Sequence, residues 1–312
     1  MTILNCSSMC SLISGKYDLL VYYHLNDDKD KVLKGNPGEC RFCKKHFPYV
    51  TFNKIAHVVP HFIGNQHFKS EYECDACNQL FSQYESHFAG LMKLWHVFSR
   101  VNKGGGKVPK YKNHSSDKSY IKYEDEGFRV VCVEGENLTC EVDEEKKMFT
   151  IEGESSYIPQ EAFKAITKMA LAIMPEDDLT NFQDTLSWLQ KQRDCGKGLL
   201  LVMRIYRSAF PFISCLIFKR KDDSKNVPSY LFGIAYSNIF LQIPIPLCEK
   251  DRDKQGVELS MPLIPTLLDS QSVDCISCKR YDLSSSEKRT EPCRMLFGYE
   301  SLEDNLCHKS GD

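Results

Sequence analysis

The chain contains no apolar run near the roughly 18 residues that a membrane-spanning helix requires, so no membrane association is expected. Its N-terminal stretch, MTILNCSSMCSLISGKYD, has no basic leader, and Asn and Ser interrupt its apolar positions. That pattern argues against a secretory signal and for a cytoplasmic protein. Internal repeats and low-complexity tracts are absent as well. The one glycine run, GGGK at 104–107, lacks the GxxxxGK[ST] spacing of a phosphate-binding loop and reads as part of a basic linker over 102–118. Cysteine, by contrast, is plentiful: there are 15, an odd number that a fully paired disulfide framework does not leave. In an unexported chain such a count fits metal ligands and buried free thiols.

A length of 312 residues predicts two domains, each with its own core. The expected division is 1–112, with an N-terminal strand at 17–24 and a long helix starting near Cys77 or Asn78; 113–270; and a Cys-containing polar tail, 271–312. The middle segment has short alternating runs (FRVVCVEG, NLTCEV, KMFTIEG), then two helical patterns, then four β-rich stretches from GLLLVMRIY to IFLQIPIPL. Strands, helices and strands again, without βαβ alternation, predict an α+β domain on a mostly antiparallel sheet. Charge divides along the same lines. Residues 31–112 hold 13 Lys and Arg against 5 Asp and Glu, and residues 113–160 hold 5 against 12. A basic module beside an acidic one is the pattern of a phosphate-binding domain with an acidic neighbour.

The strongest chemical signal lies in the basic module. CRFC supplies Cys40 and Cys43, and CDAC supplies Cys74 and Cys77, with 30 residues between the pairs. Four soft thiolates in two CxxC turns suit a closed tetrahedral zinc site, which makes Zn²⁺ a structural cofactor. Between the pairs, KIAHVVPHFIG reads as a short strand delivering His57 to a turn made by Pro60 and Gly64. Asn78 follows directly after the last zinc ligand. A second group, Cys275, Cys278, Cys293 and Cys307, contains one CxxC and otherwise irregular spacing, so a second zinc there stays open.

In their order and spacing, CRFC, AHVVPHFIG and CDACNQLFSQYE resemble the HNH endonucleases, in the class whose hairpin is stapled by CxxC and CxxCN. The resemblance covers roughly Cys40 to Phe88. It implies a zinc-stapled, treble-clef-like ββα-metal domain ahead of the α+β domain, and a metal-dependent endonuclease hydrolysing phosphodiester bonds in DNA, double-stranded DNA being expected. His57 is then the general base, an imidazole suited to take a proton from water near neutral pH. Asn78 is a ligand of a catalytic Mg²⁺ or another divalent cation. Ala56 departs from the family, which carries an acid or histidine there, so His61 and Glu85 are the candidates to complete the metal site. The middle Asn of the signature is open: Asn65 stands early in the loop, and Lys69 and Ser70 occupy the nearer positions. Lys54, Lys69, Arg100 and Lys103 are candidates to grip nucleic-acid phosphates without reading sequence. The rest of the chain, by analogy with bacterial phage-defence effectors, is expected to control the nuclease through a regulatory ligand or protein, or through a homo-oligomer. The alternative is a catalytically inactive, zinc-stabilised nucleic-acid-binding protein.

Overall fold

A computed structural model describes residues 13–25, 30–101, 108–112, 118–124, 127–196, 198–222, 226–254, 259–269 and 275–300. Lys103 and Cys307 lie outside these residues. Among them the strands are β1 (Tyr17–Leu25), β2 (Lys31–Leu33), β3 (Ala56–His57), β4 (Phe68–Ser70), β5 (Tyr111–Lys112), β6 (Tyr120–Glu124), β7 (Gly127–Val131), β8 (Thr139–Asp143), β9 (Met148–Tyr157), β10 (Leu200–Tyr206), β11 (Ile213–Arg220), β12 (Tyr230–Tyr236), β13 (Ile239–Pro244), β14 (Cys275–Asp282) and β15 (Arg289–Gly298). The two long helices are α1 (Asp75–Phe98) and α2 (Pro159–Ile173). The result is a mixed α+β structure with mostly antiparallel sheets; among the described residues the one parallel pair is β2 with β4. Among the described residues no helix is long and apolar enough to cross a membrane.

The largest sheet has the order β1-β11-β12-β13-β10-β14. Its central strands are buried on both faces, which is why they read as continuous apolar runs rather than as alternation. Tyr230, Phe232, Ile234 and Tyr236 of β12 enter the main core, while Leu231 and Ala235 enter a second core with Tyr17, Phe218 and Phe240. Gly233 sits on that second face because a Cβ there would meet the Phe240 ring at 2.7 Å. Two pairings link distant parts of the sequence. β1 joins β11, and the tail, though polar, supplies β14 to this sheet and β15 to the β8–β9 sheet.

The helix α2 is buried on nearly every side and lies in the middle of the main core. Pro159 opens it, where a missing N–H costs nothing. Its C-terminal carbonyls are met by Arg41, the residue after Cys40: Nε donates to Leu171 O at 2.9 Å, and the other nitrogens reach Met174 O and Glu176. A basic side chain at a helix C-terminus satisfies orphan carbonyls and opposes the dipole. Helix α1 packs on α2, and its buried face carries Phe81, Tyr84, Phe88, Leu91 and Trp95, spaced as the sequence predicts; the helix starts at Asp75, two to three residues before the predicted start.

Candidate metal centre and histidine site

Four sulfurs form the densest ligand group. Those of Cys40, Cys43, Cys74 and Cys77 lie within 4.8 Å of one another, with Cys40 to Cys77 at 3.7 Å and Cys43 to Cys74 at 3.8 Å. A tetrahedron with Zn–S bonds of roughly 2.3 Å has S–S edges of about 3.8 Å, which the two close pairs match, so the four positions suit a zinc ion. The local backbone makes this possible. Cys40 N–H donates to Lys45 O and Lys44 N–H to Cys40 O, closing a turn in which Lys44 takes φ 58°. On the other side, the second CxxC forms the first turn of α1, where Asn78 N–H donates to Cys74 O. Gln190 Nε2 lies 3.4 Å from Cys77 Sγ and supplies an outer hydrogen bond to the sulfur.

Asp75 anchors the approach to the histidine. Its carboxylate accepts from Thr51 Oγ1 and from the Asn53 and Lys54 backbone N–H groups, so the loop before β3 is tied to the N-terminus of α1. Strand β3 is only Ala56 and His57, paired antiparallel with Ser70 and Lys69 of β4. The turn between them is held by Asn65, which is buried. Its Nδ2 donates to Val59 O (2.6 Å) and Phe68 O (3.0 Å), and its Oδ1 accepts from the N–H groups of His67 (3.2 Å) and Phe68 (2.8 Å). The sequence leaves the hairpin-tying amide open; in the structure Asn65 makes such a tie, because its side chain faces back across the turn and meets Val59, just past β3, and Phe68, the first residue of β4.

His57 is half-buried. Burial, reinforced by His61, Lys168 and Lys69, holds its imidazole below the ordinary histidine range, and a hydrogen bond to the Gln66 backbone opposes this only in part. The ring is therefore neutral near pH 7 and keeps a free lone pair. His61 opens a short 3₁₀ turn ended by Gly64 at φ 103°, and its ring centroid lies 6.0 Å from that of His57. Asn78 and Glu85 share one face of α1, with Asn78 in the first turn. Burial raises the Glu85 carboxyl above its usual value, partly offset by Lys168. Among the described residues the four cysteines are the one set of three or more His, Cys, Asp or Glu ligand atoms within 4.8 Å of one another. His57, His61 and Glu85 do not form a second such set.

The basic candidates separate. Lys54 and Lys69 line one open cleft of about 360 Å³ together with Asn53, Ser70 and Glu73. Lys69 also pairs with Asp30 at 3.0 Å. Arg100 lies past the other end of α1, stacked 4.2 Å over the Tyr123 ring; the 20 helical steps from Asn78 to Phe98 at about 1.5 Å each put that end of the helix roughly 30 Å from Asn78. Cys275, Cys278 and Cys293 lie on extended strands, Cys275 and Cys278 in one sheet and Cys293 in another, so CISC does not make the turn of a zinc knuckle. These three cysteines do not cluster.

Sequence reasoning passes over Lys168. It lies on α2, is almost wholly buried, and its Nζ donates to His57 O at 2.6 Å and pairs with Glu73 Oε2 at 3.0 Å. The signal is in the sequence: PQEAFKAITKMALAIM carries Lys164 and Lys168 one turn apart on an otherwise apolar pattern.

Residues 40–89, about a sixth of the chain, match the HNH endonuclease family model, and the four clustered cysteines fall inside this segment. No curated protein and no solved structure matches the chain.

Proposed function

We propose that the protein is a metal-dependent endonuclease of HNH type that cuts double-stranded DNA, with Zn²⁺ as scaffold and Mg²⁺ or another divalent cation in the reaction. The observation that carries this reading is the coincidence of the HNH match over residues 40–89 with a four-sulfur knot that joins the loop before β3 to the first turn of α1, with the hairpin β3–β4 between them, an order that supports the ββα-metal reading.

In this reading His57 takes a proton from the attacking water, because burial leaves its imidazole neutral and basic at physiological pH. Asn65 fixes the turn that follows His57, and the zinc knot fixes the helix that follows the turn. Asn78 would hold the divalent cation through its amide oxygen, with His61 or Glu85 as second ligand in place of the family's residue at Ala56. A bound cation supplies charge stabilisation to the phosphate and the leaving oxygen. Ligands that are not all preassembled are compatible with Mg²⁺, which keeps several waters and takes substrate phosphates into its shell. Lys54 and Lys69, facing one cleft beside the hairpin, would hold the phosphate backbone.

The buried methyl of Ala56 supports the second reading, a zinc-stabilised nucleic-acid-binding protein without catalysis. Plasmid nicking with Mg²⁺, Mn²⁺, Ni²⁺ and Zn²⁺ separates the two. Nuclease chemistry predicts divalent-dependent strand scission that falls about 10²- to 10⁴-fold in His57→Ala, the usual span for loss of a general base. Salt-sensitive DNA binding with no scission under any ion leaves the second reading standing, and cleavage that survives intact in His57→Ala removes His57 from the role.

A further inference from the structure

The helix α2 lies outside the HNH-matching segment, yet one of its side chains reaches the residue assigned to the chemistry. We propose that Lys168 is a positioning residue for His57, so that the catalytic hairpin is completed by the second half of the chain. The inference rests on the nuclease reading and adds a residue to it.

The hairpin alone is a weak support for a base. Only Ala56 and His57 of β3 pair with β4, and the chain turns away at Pro60. Beyond this pair the ladder adds one bond, from Val58 N–H to Phe68 O, so the His57 backbone has few anchors within the hairpin. Lys168 Nζ supplies a further anchor by donating to the His57 carbonyl at 2.6 Å. The ammonium is itself fixed by Glu73 at 3.0 Å, in an ion pair whose side chains are 2% and 1% exposed. Glu73 immediately precedes the zinc ligand Cys74. A continuous series of contacts thus runs from the metal knot through Glu73 and Lys168 to the His57 backbone.

A lysine is costly to bury, and an apolar residue of its length would fill the same space on α2. What such a residue lacks is a donor for the His57 carbonyl. The Glu73 carboxylate is likewise held in the core with Oε1 unpartnered, so the pair is under-satisfied as a stability device. Both features make sense if the pair's task is to hold the strand.

The test uses the full-length, zinc-loaded protein. Because Lys168 is buried and does not meet DNA, Lys168→Met is expected to lower kcat for nicking by roughly 100-fold, the cost of a misplacement near 1 Å, while leaving KM for plasmid unchanged. Lys168→Arg, which keeps the charge and the donors, should restore most of the rate. Hydrogen exchange across 54–60 should accelerate in Lys168→Met and remain at the wild-type rate in 230–244. A wild-type kcat in Lys168→Met, or a raised KM at constant kcat, overturns the proposal. If Lys168→Met does not fold, Glu73→Leu decides: it keeps an apolar body in the space but leaves no acceptor for the ammonium, and a wild-type kcat there is the refuting result. Should the wild-type protein cut nothing, the nuclease reading fails by itself. Exchange over 54–60 then still tests the tie, and no change in Lys168→Met rejects it.

Discussion

Removing the metal from the four-cysteine knot is expected to open one part of the protein and spare the rest. Two thiolates 3.7 Å apart repel by about 4.5 kcal/mol at an effective dielectric near 20, and the knot holds two such close contacts. Without a dication the sulfurs avoid this by sharing protons: hydrogen bonds from Cys74 and Cys77 hold the Cys40 thiol far below its usual value, while bonding to Cys40 pushes the Cys74 and Cys77 thiols up. Zinc replaces that arrangement with four metal–sulfur bonds, worth roughly 10–16 kcal/mol in zinc-finger peptides, against a whole-domain stability of about 5–15 kcal/mol. The segment that depends on it is 40–73, whose strands are only two or three residues long; Phe42, Val58, Val59, Ile63 and Phe68 enter the main core, but the loops that carry them are joined to α1 by the knot. The second half of α1 and the strands β10–β13 stay buried against α2 and against one another. Metal analysis should give one zinc per chain. Chelation, or Cys77→Ser, should then abolish hydrogen-exchange protection over 40–73 and leave 230–244 protected. Cobalt in place of zinc should give the strong visible bands of a tetrahedral thiolate site. Full protection of 40–73 in metal-free Cys77→Ser would refute this reasoning, because packing would then be holding the hairpin by itself.

Two further outcomes follow from the same geometry. Since burial lowers the His57 pKa, the base stays deprotonated into more acid solution than a free histidine, so the acid limb of kcat/KM should have its midpoint below about 6.5; a midpoint at or above 7 contradicts the assignment. Stability has the same sign there, because the unfolded chain binds the proton more readily and the native state loses its advantage as pH falls below the free histidine value. Asn65→Ala removes four hydrogen bonds and leaves buried backbone groups unpaired, which should cost about 3 kcal/mol in urea unfolding, and a loss under about 1 kcal/mol would show that the amide is not the tie across the turn.

Much of the site is legible in the sequence because its parts are local. A CxxC turn closes over four residues, and α1 announces its buried face by its own period. The buried strands β10–β13 are equally plain, since each carries its apolar run within itself. What is illegible depends on who faces whom. In the sequence Arg41 is one of the 13 cations of the basic module, and the structure turns it inward to cap α2. Lys54 and Arg100 look equivalent as phosphate contacts, yet one lines a cleft beside the hairpin and the other stacks on Tyr123 at the far end of a 24-residue helix.

The sequence by itself determines the metal knot, the histidine strand and the helix behind it, because bond geometry and helical period act over a few residues. Only the tertiary structure decides that β1 closes the sheet through β11, that the polar tail pairs with β10 and β9, and that Lys168 reaches His57 across 111 positions of sequence. Those choices depend on strand registers and on the burial of α2 between distant segments. No short window of residues contains the partners whose surfaces and charges select them.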